Sequence, residues 1–229
     1  MLILYMLLGI LILLIFYFVA VSILFKEEIK AVFEKDPAAA SFYEVLLTYS
    51  GLHAIISYRI AHAFKKQGLS FLPRLISQFT RFITGIEIHP GAEIGKGFFI
   101  DHGMGVVIGE TSVIGNNVIL YQGVTLGGTG KEKGKRHPTL GNNIVVGAGV
   151  KVLGNITIGD NSYIGSNAVI IKDVPPNSTV VGVPGRITKQ DGRKIELSLD
   201  HIHILDPLMG SIEGLERRIK KLEEKQSPK

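Results

Sequence analysis

Aliphatic residues recur every six positions along the middle of the chain. A second aliphatic row has the same spacing, and glycines often follow the first row by three positions. A period of six fits neither an α-helix nor a half-buried strand, whereas repeats of this length are typical of parallel β-helices. The spacing therefore predicts a prism with aliphatic side chains inside, glycines at corners that need positive φ, and coils stacked about 4.8 Å apart. The first row is Ile88, Ile94, Ile100, Val106, Ser112, Val118 and Val124, then Ile144, Val150, Ile156, Ser162, Ala168 and Val174.

The repeat is interrupted once, between Val124 and Ile144, where the spacing is 20 residues. Because 20 is not a multiple of six, a loop of about residues 128–139 must leave the prism there. Basic loops on a rigid scaffold often bind ligands, so this loop is a candidate binding element; the alternative is a tolerated surface insertion. Its charged residues and histidine include Lys131, Lys133, Lys135, Arg136 and His137.

Residues 2–25 contain no charged side chain. A helix of this length spans about 36 Å, which is enough to cross a hydrocarbon core of about 30 Å. We therefore predict a transmembrane anchor over residues 1–26; the alternative, a signal peptide, would have a basic start and a small-residue cleavage site. Lys26 and Lys30 favour a cytoplasmic body by the positive-inside bias, anchored to the cytoplasmic membrane.

Helical spacing of apolar residues predicts a helical segment over residues 27–85. It would cover the first coil of the prism, whose predicted extent is residues 86–189. Pro175 and Pro176 end the repeat because proline cannot donate ladder hydrogen bonds. The tail, residues 190–229, is predicted to contain a short helix around residues 212–222.

Composition excludes several kinds of chemistry. The chain has no cysteine, so a disulfide, a thiolate metal ligand and a cysteine nucleophile are impossible. The net charge of +5 is spread along the chain without a basic stripe interleaved with aromatics, so we expect no nucleic-acid partner.

Three stretches, IDHGMGVVIGET, LGGTG and KRHP, together resemble the serine O-acetyltransferases. The resemblance extends over about residues 31–189. It implies a mainly β fold, a left-handed parallel β-helix after an N-terminal helical segment. It also implies acetyl transfer from acetyl-CoA to the hydroxyl of L-serine, giving O-acetylserine for cysteine biosynthesis. The family associates as homotrimers or multiples of them, with sites between subunits, and we expect the same here.

The same resemblance assigns the catalytic pair. His102 corresponds to the general base, and an imidazole can take the serine proton and then protonate the leaving thiolate. Glu87 corresponds to the carboxylate that would orient the imidazole. The family pattern has aspartate at that position, so the pairing here depends on a side chain one methylene longer.

Residues for the charged groups of serine also follow from the family pattern. Asp36 and Asp101 correspond to carboxylates on the ammonium, although Asp36 also fits an Asx turn. Arg136 and His137 correspond to the pair on the serine carboxylate, which suits the planar fork of arginine. Glu110 is expected to brace this site.

Acetyl-CoA is expected along an edge of the prism, where glycines allow close approach and basic residues meet phosphates. Each glycine is also explained by the fold alone. The resemblance and the loop indicate Gly127, Gly128, Thr129, Ala148, Ser166, Arg186 and Lys189.

Without a cysteine, an acyl-cysteine intermediate is excluded, and we expect direct transfer within a ternary complex and no metal. Three alternatives stay open: another hexapeptide-repeat O-acetyltransferase, a metal-dependent hydratase, and a membrane-tethered scaffold without turnover. The family's tail often docks into the sulfhydrylase through a terminal isoleucine. This chain ends Gln-Ser-Pro-Lys, so that complex is not expected. The remaining histidines are interpreted as structural.

Overall fold

The computed structural model describes residues 1–130 and 133–194. Within these ranges, helices come first and short strands follow from Glu87 onward. The predicted helix around residues 212–222 and the C-terminal residues lie outside the described ranges. The helices are α1 (Leu2–Leu24), α2 (Lys26–Lys35), α3 (Phe42–Thr48), α4 (Ser50–Lys66) and α5 (Phe71–Thr84).

Local sequence signals set the ends of the helices. The hydroxyl of Ser41 caps α3 by accepting a hydrogen bond from the backbone N–H of Glu44 at 3.2 Å. Gly85 ends α5 with a φ of 72°, a left-handed conformation that glycine adopts without steric cost. The helical segment therefore stops immediately before the first strand.

The prediction of a transmembrane anchor over residues 1–26 is wrong. α1 occupies most of that segment, but no helix in the described ranges combines the length and the apolar character needed to cross a membrane. The last turns of α1 contribute to a buried cluster in which Val21 packs with Ile29 and Val32, bordered by Phe18 and Phe25. This end of α1 is thus part of the core of the helical segment.

The repeat region forms a prism with three sheets whose strands are parallel, which confirms the predicted parallel β-helix. Each of the first four coils contributes one short strand to each sheet. Sheet A contains β1 (Glu87–Ile88), β4 (Val107–Ile108), β7 (Thr125–Gly127), β10 (Lys151–Leu153) and β13 (Val169–Ile170). Sheet B contains β2 (Glu93–Ile94), β5 (Val113–Ile114), β8 (Thr139–Leu140) and β11 (Thr157–Ile158). Sheet C contains β3 (Phe99–Ile100), β6 (Ile119–Leu120), β9 (Val145–Val146), β12 (Tyr163–Ile164), β14 (Ser178–Val181) and, antiparallel at its end, β15 (Arg186–Gln190) and β16 (Arg193–Lys194).

Paired residues along each sheet build ladders of aliphatic side chains inside the prism. Two inward positions, two residues apart, are buried on each side of a coil; Val106 and Ile108 are one such pair, and Val124 and Leu126 are another. Burial of this apolar surface is the main source of stability for the prism. In sheet A the ladder consists of Ile88, Ile108, Leu126, Val152 and Ile170.

Extra residues lengthen the six-residue step at two corners. Eight residues instead of six separate Ile100 from Ile108, so the row predicted at a constant step of six is wrong here, and two extra residues lie in segment 101–105. The second departure is the loop of residues 128–138, which connects β7 to β8. After each departure the strands resume the same pairing with the coil below. The prism therefore carries added residues at its corners without shifting its sheets.

Most of the repeated glycines do not have the predicted positive φ. They are needed because neighbouring coils approach closely: a Cβ on Gly115 would lie 2.5 Å from the carbonyl oxygen of Gly141. At one corner the positive φ is supplied by asparagines, whose side-chain amides donate to one another in a ladder. These residues are Asn117, Asn143, Asn161 and Asn177.

α5 presents small polar residues to the prism and large apolar residues to the surface. Ser77 and Thr84 are buried, and the hydroxyl of Ser77 donates to the carbonyl oxygen of Ile88 at 2.7 Å. The helix thus attaches to the first coil through hydrogen bonds and leaves an apolar face exposed. That face consists of Phe71, Leu75, Phe79 and Phe82.

Candidate active site

An acidic cleft of about 340 Å³ lies between the helical segment and the first coil. Its lining includes Asp36 and Tyr49 from the helical segment. Asp101 and His102, directly after β3, complete the polar part of the lining. The fold therefore brings together three residues predicted for the site, with two carboxylates beside one imidazole.

His102 lies in the two-residue insertion after β3, at the corner between sheets C and A. Its φ is 56°, and its side chain is 74% exposed. Nε2 lies 3.9 Å from Oδ1 of Asp101, and the backbone carbonyl of His102 accepts a hydrogen bond from the hydroxyl of Ser50 at 3.1 Å. The backbone at His102 is thus tied to the helical segment, while the imidazole is open to a ligand.

Asp36 is held in place by two donors. The phenolic hydroxyl of Tyr49 donates to Oδ2 at 2.7 Å, and the backbone N–H of Ala38 donates to Oδ1 at 2.8 Å. The hydrogen bond to Asp36 raises the pKa of Tyr49 to about 12. Asp36 therefore makes the Asx turn predicted as its alternative role and still lines the cleft.

Glu87 contacts α5. Its carboxylate accepts a hydrogen bond from the side chain of Gln78 at 3.2 Å and lies 3.2 Å from Arg81 and 3.7 Å from Arg74. The structure gives no hydrogen bond or ion pair between the two described side chains Glu87 and His102. Their pairing as a catalytic dyad stays a prediction.

Arg136 and Glu110 pair at the corner between sheets A and B, which we call the Arg136 edge. Nη2 of Arg136 donates to Oε2 of Glu110 at 3.0 Å. Burial alone would raise the pKa of Glu110, but the hydrogen bond from Arg136, with the charges of His89 and Arg136, outweighs burial and lowers that pKa. Glu110 is therefore an ionised carboxylate that accepts a hydrogen bond from the guanidinium.

His137 is buried beside this pair and is held by Thr111. Its Nδ1 accepts a hydrogen bond from the backbone N–H of Thr111 at 3.1 Å and lies 2.9 Å from the Thr111 hydroxyl. Burial, followed by the charge of Arg136, lowers the pKa of His137. The imidazole is therefore neutral near pH 7, with its proton on Nε2. Thr111 is missing from the predicted site, because a threonine at a coil corner carries no distinctive sequence signal.

Two glycines leave room for the side chains of the loop. A Cβ on Gly109 would lie 2.0 Å from Cδ2 of His137, and a Cβ on Gly128 would lie 3.0 Å from Cγ of Arg136. Gly128, predicted to approach acetyl-CoA, thus has a second explanation in the packing of Arg136. Gly109 forms the floor under the His137 ring.

The other described histidines contact backbone groups. Nδ1 of His89 accepts from the N–H of Gly91 at 3.0 Å, and burial followed by the charge of Arg74 lowers the pKa of His89 to about 4. His62 and His53 each lie 2.8 Å from a backbone carbonyl oxygen. In the described part of the chain, no group of three or more His, Asp or Glu side chains is arranged to hold a metal ion.

The residues predicted to contact acetyl-CoA lie on both edges of sheet A. Ala148 and Ser166 each come two residues after a sheet C strand, in the same register as His102 after β3. We call this corner the His102 edge. Gly127 ends β7, and Gly128 and Thr129 follow it at the Arg136 edge. Sheet A separates the two groups within one chain.

The two basic residues predicted for the CoA phosphates lie in β15. Arg186 and Lys189 are both exposed, and Lys189 pairs with Thr179 of β14. They thus stand in sheet C near the last coil, away from the first coil that carries His102. Among the described residues, β15 pairs with β14, and β14 pairs with β12 of the prism.

Comparisons with known proteins agree with this architecture. Residues 137–172 match a family model described as bacterial transferase hexapeptide (six repeats). The chain is 60% identical over 197 residues to a serine acetyltransferase of Bacillus subtilis (strain 168), an alignment that covers 86% of this chain and 91% of that protein.

Solved structures give the same result. A Neisseria gonorrhoeae serine acetyltransferase in complex with serine is similar with a TM-score of 0.68 and 43% identity, over 70% of this chain and 66% of that one. A serine acetyltransferase in complex with cysteine gives a TM-score of 0.69 and 46% identity, over 71% of this chain and 67% of that one. Sequence identity, coverage and the prism with its acidic cleft lead to one conclusion: the chain belongs to the serine acetyltransferase family.

Proposed function

We propose that the protein transfers the acetyl group of acetyl-CoA to the hydroxyl of L-serine, with His102 as the general base. The observation that carries the proposal is an exposed imidazole in a cleft with two carboxylates. As the serine oxygen attacks the thioester carbonyl carbon, His102 takes the hydroxyl proton, and it then protonates the departing CoA thiolate. The relative solved with serine supports serine as the acceptor.

The charges of the site suit an amino acid. Asp36 and Asp101 line the cleft and attract the serine ammonium, which places the hydroxyl near His102. Arg136 offers a guanidinium and His137 offers its Nε2–H to the serine carboxylate. Fixing both charged groups orients the hydroxyl for attack, and such positioning is a large part of catalysis between two bound substrates.

Acetyl-CoA lies, in this proposal, along the prism between the two edges. The small side chains of Ala148 and Ser166 allow its arm to approach, and the amides beside Gly127 and Gly128 can donate to the developing oxyanion. Arg186 and Lys189 supply positive charge for phosphates. The chain has no cysteine, so the acetyl group passes directly to serine.

We also propose that the active unit is a homotrimer in which the His102 edge of one subunit meets the Arg136 edge of the next. Two observations support this: the ammonium-binding and carboxylate-binding residues lie on opposite edges of sheet A, and α5 exposes an apolar face. Met104, exposed and packed on Gly85 at the end of α5, links that face to the His102 segment. Exposed apolar patches of this kind mark contact surfaces.

An acetyl-CoA and serine assay that follows release of free CoA tests the activity. We expect intersecting double-reciprocal lines, and we expect His102→Ala to lower kcat by about 100-fold or more without weakening CoA binding. Release of CoA with sugar or antibiotic acceptors but not with serine would overturn the proposal. So would normal turnover by His102→Ala.

A further inference from the structure

Thr111 accepts hydrogen bonds from three consecutive residues of the segment that returns from the loop. Its hydroxyl oxygen accepts hydrogen bonds from the backbone N–H groups of Arg136 at 3.0 Å and His137 at 3.1 Å. Its carbonyl oxygen accepts one from Nζ of Lys135 at 2.7 Å. Three consecutive loop residues are therefore bound by one threonine.

The contacts of Thr111 also fix the proton on His137. The backbone N–H of Thr111 donates to Nδ1, so Nδ1 is an acceptor and the hydroxyl at 2.9 Å can donate to it as well. With Nδ1 occupied and the ring neutral, the remaining proton stays on Nε2. No partner for Nε2 is found among residues 1–130 and 133–194, so Nε2–H is free to donate to a ligand.

The surroundings of Thr111 leave the loop residues little freedom. Gly109 lies directly under the His137 ring, and Glu110 holds the guanidinium of Arg136. Thr111 is the next residue in the chain, so three consecutive residues of one corner support both groups that face the acceptor carboxylate. Of the three, only Thr111 contacts both Arg136 and His137 through hydrogen bonds.

We propose that Thr111 is a positioning residue for recognition of the acceptor carboxylate. Its hydroxyl sets the backbone of Arg136 and His137, and its backbone N–H keeps the His137 proton on Nε2, where it points to the carboxylate. The proposal rests on the function proposed above, in which this pair binds the carboxylate of serine. A purely structural role would affect all substrates alike, and the two roles can therefore be separated.

The variants Thr111→Val and Thr111→Ser distinguish a positioning role of Thr111 from a purely structural one. Valine keeps the shape and the backbone N–H but removes the hydroxyl, whereas serine keeps the hydroxyl. We expect Thr111→Val to raise KM for serine by about 10-fold or more while KM for acetyl-CoA stays within about 2-fold, because a hydrogen bond that orients a charged contact is lost. Thr111→Ser should restore KM for serine to near its original value.

Ethanolamine, an acceptor with the ammonium and the hydroxyl of serine but no carboxylate, provides the second measurement. The ratio of kcat/KM for serine to that for ethanolamine should fall by about 10-fold in Thr111→Val, since only serine uses the carboxylate site. An unchanged ratio, or a loss that Thr111→Ser does not recover, would overturn the inference. If the unmodified protein does not acetylate serine, the proposed function fails instead, so the two failures are distinguishable.

Discussion

The phenolic hydroxyl of Tyr49 donates to Oδ2 of Asp36 at 2.7 Å, inside the cleft that contains His102. Asp36 directly follows α2 and Tyr49 directly precedes α4, so this bond joins the ends of two helices at the point where the serine ammonium is proposed to bind. The carboxylate is thereby oriented by the Tyr49 hydroxyl.

Tyr49→Phe removes only this hydroxyl. Because Asp36 then keeps one donor, the N–H of Ala38, we expect its carboxylate to move and KM for serine to rise by about 3- to 10-fold. KM for acetyl-CoA should be unchanged, since the contact lies at the acceptor end of the site. Steady-state kinetics with each substrate varied in turn measure both values. An equal rise in both would point to general loss of structure.

Mixed oligomers test whether the site is shared between subunits. His102→Ala and Arg136→Ala are each expected to be inactive as pure proteins. When the two are unfolded together and refolded as a mixture, about one quarter of the shared sites would receive both intact residues by random assembly. We therefore expect activity to return in the mixture. A mixture as inactive as its components would contradict a site that combines the two edges of different subunits.

Glu87→Gln tests the predicted dyad. On the described contacts with Arg74 and Arg81, we expect a lower melting temperature by a few degrees and a kcat within about 3-fold of the original, because partly exposed ion pairs contribute about 0.2–1 kcal/mol each. Thermal unfolding and turnover are measured on the same preparation. A fall in kcat of about 100-fold or more would instead assign Glu87 to His102.

The asparagine ladder predicts a graded loss of stability. Asn161 has a φ of 57° and donates to Asn177 at 3.1 Å while accepting from Asn143 at 3.1 Å. Asn161→Ala should lower the free energy of unfolding by about 2 kcal/mol, because alanine loses the ladder hydrogen bonds and is strained in the left-handed backbone conformation. Asn161→Gly should cost about 1 kcal/mol, because glycine relieves the strain. Urea denaturation compares the two; equal costs would show that backbone conformation contributes nothing.

The half-buried His89 predicts the acid sensitivity of the fold. The pKa of His89 is lowered to about 4, below the ordinary value near 6.5, so between these values the unfolded chain binds a proton that the folded chain does not. Stability should therefore fall as pH drops from about 6.5 to 4. His89→Asn keeps an acceptor for the Gly91 N–H and should reduce this loss. Denaturation midpoints at pH 7 and pH 5 test it, and identical losses in both proteins would contradict it.

The prism could be predicted from sequence because inward positions are aliphatic whatever their exact register. For the same reason, the sequence pattern did not reveal the insertion within residues 101–105. Each side of a coil buries two residues two positions apart, such as Val106 and Ile108, so a shift of two exchanges one aliphatic row for the other. Val106, six residues after Ile100, is also an inward aliphatic residue. The six-residue pattern therefore continued across the two-residue insertion.

The site was predictable only in part. The resemblance supplied Asp36, Asp101 and His102, which the structure brings into one cleft. Contacts that depend on the path of the loop, above all those of Thr111, leave no periodic signal because backbone groups make most of them. Hydrophobicity was a poor guide to α1, since an uncharged run in the sequence led to a wrong membrane prediction.

Each added segment leaves the register of the following strands unchanged. A corner of the prism can therefore hold a different loop without altering the sheets. A loop of residues 128–138 from a relative with a different acceptor could replace the present one while every strand below it kept its neighbours. Acceptor choice could then diverge within a lineage while the three sheets of the prism stay the same.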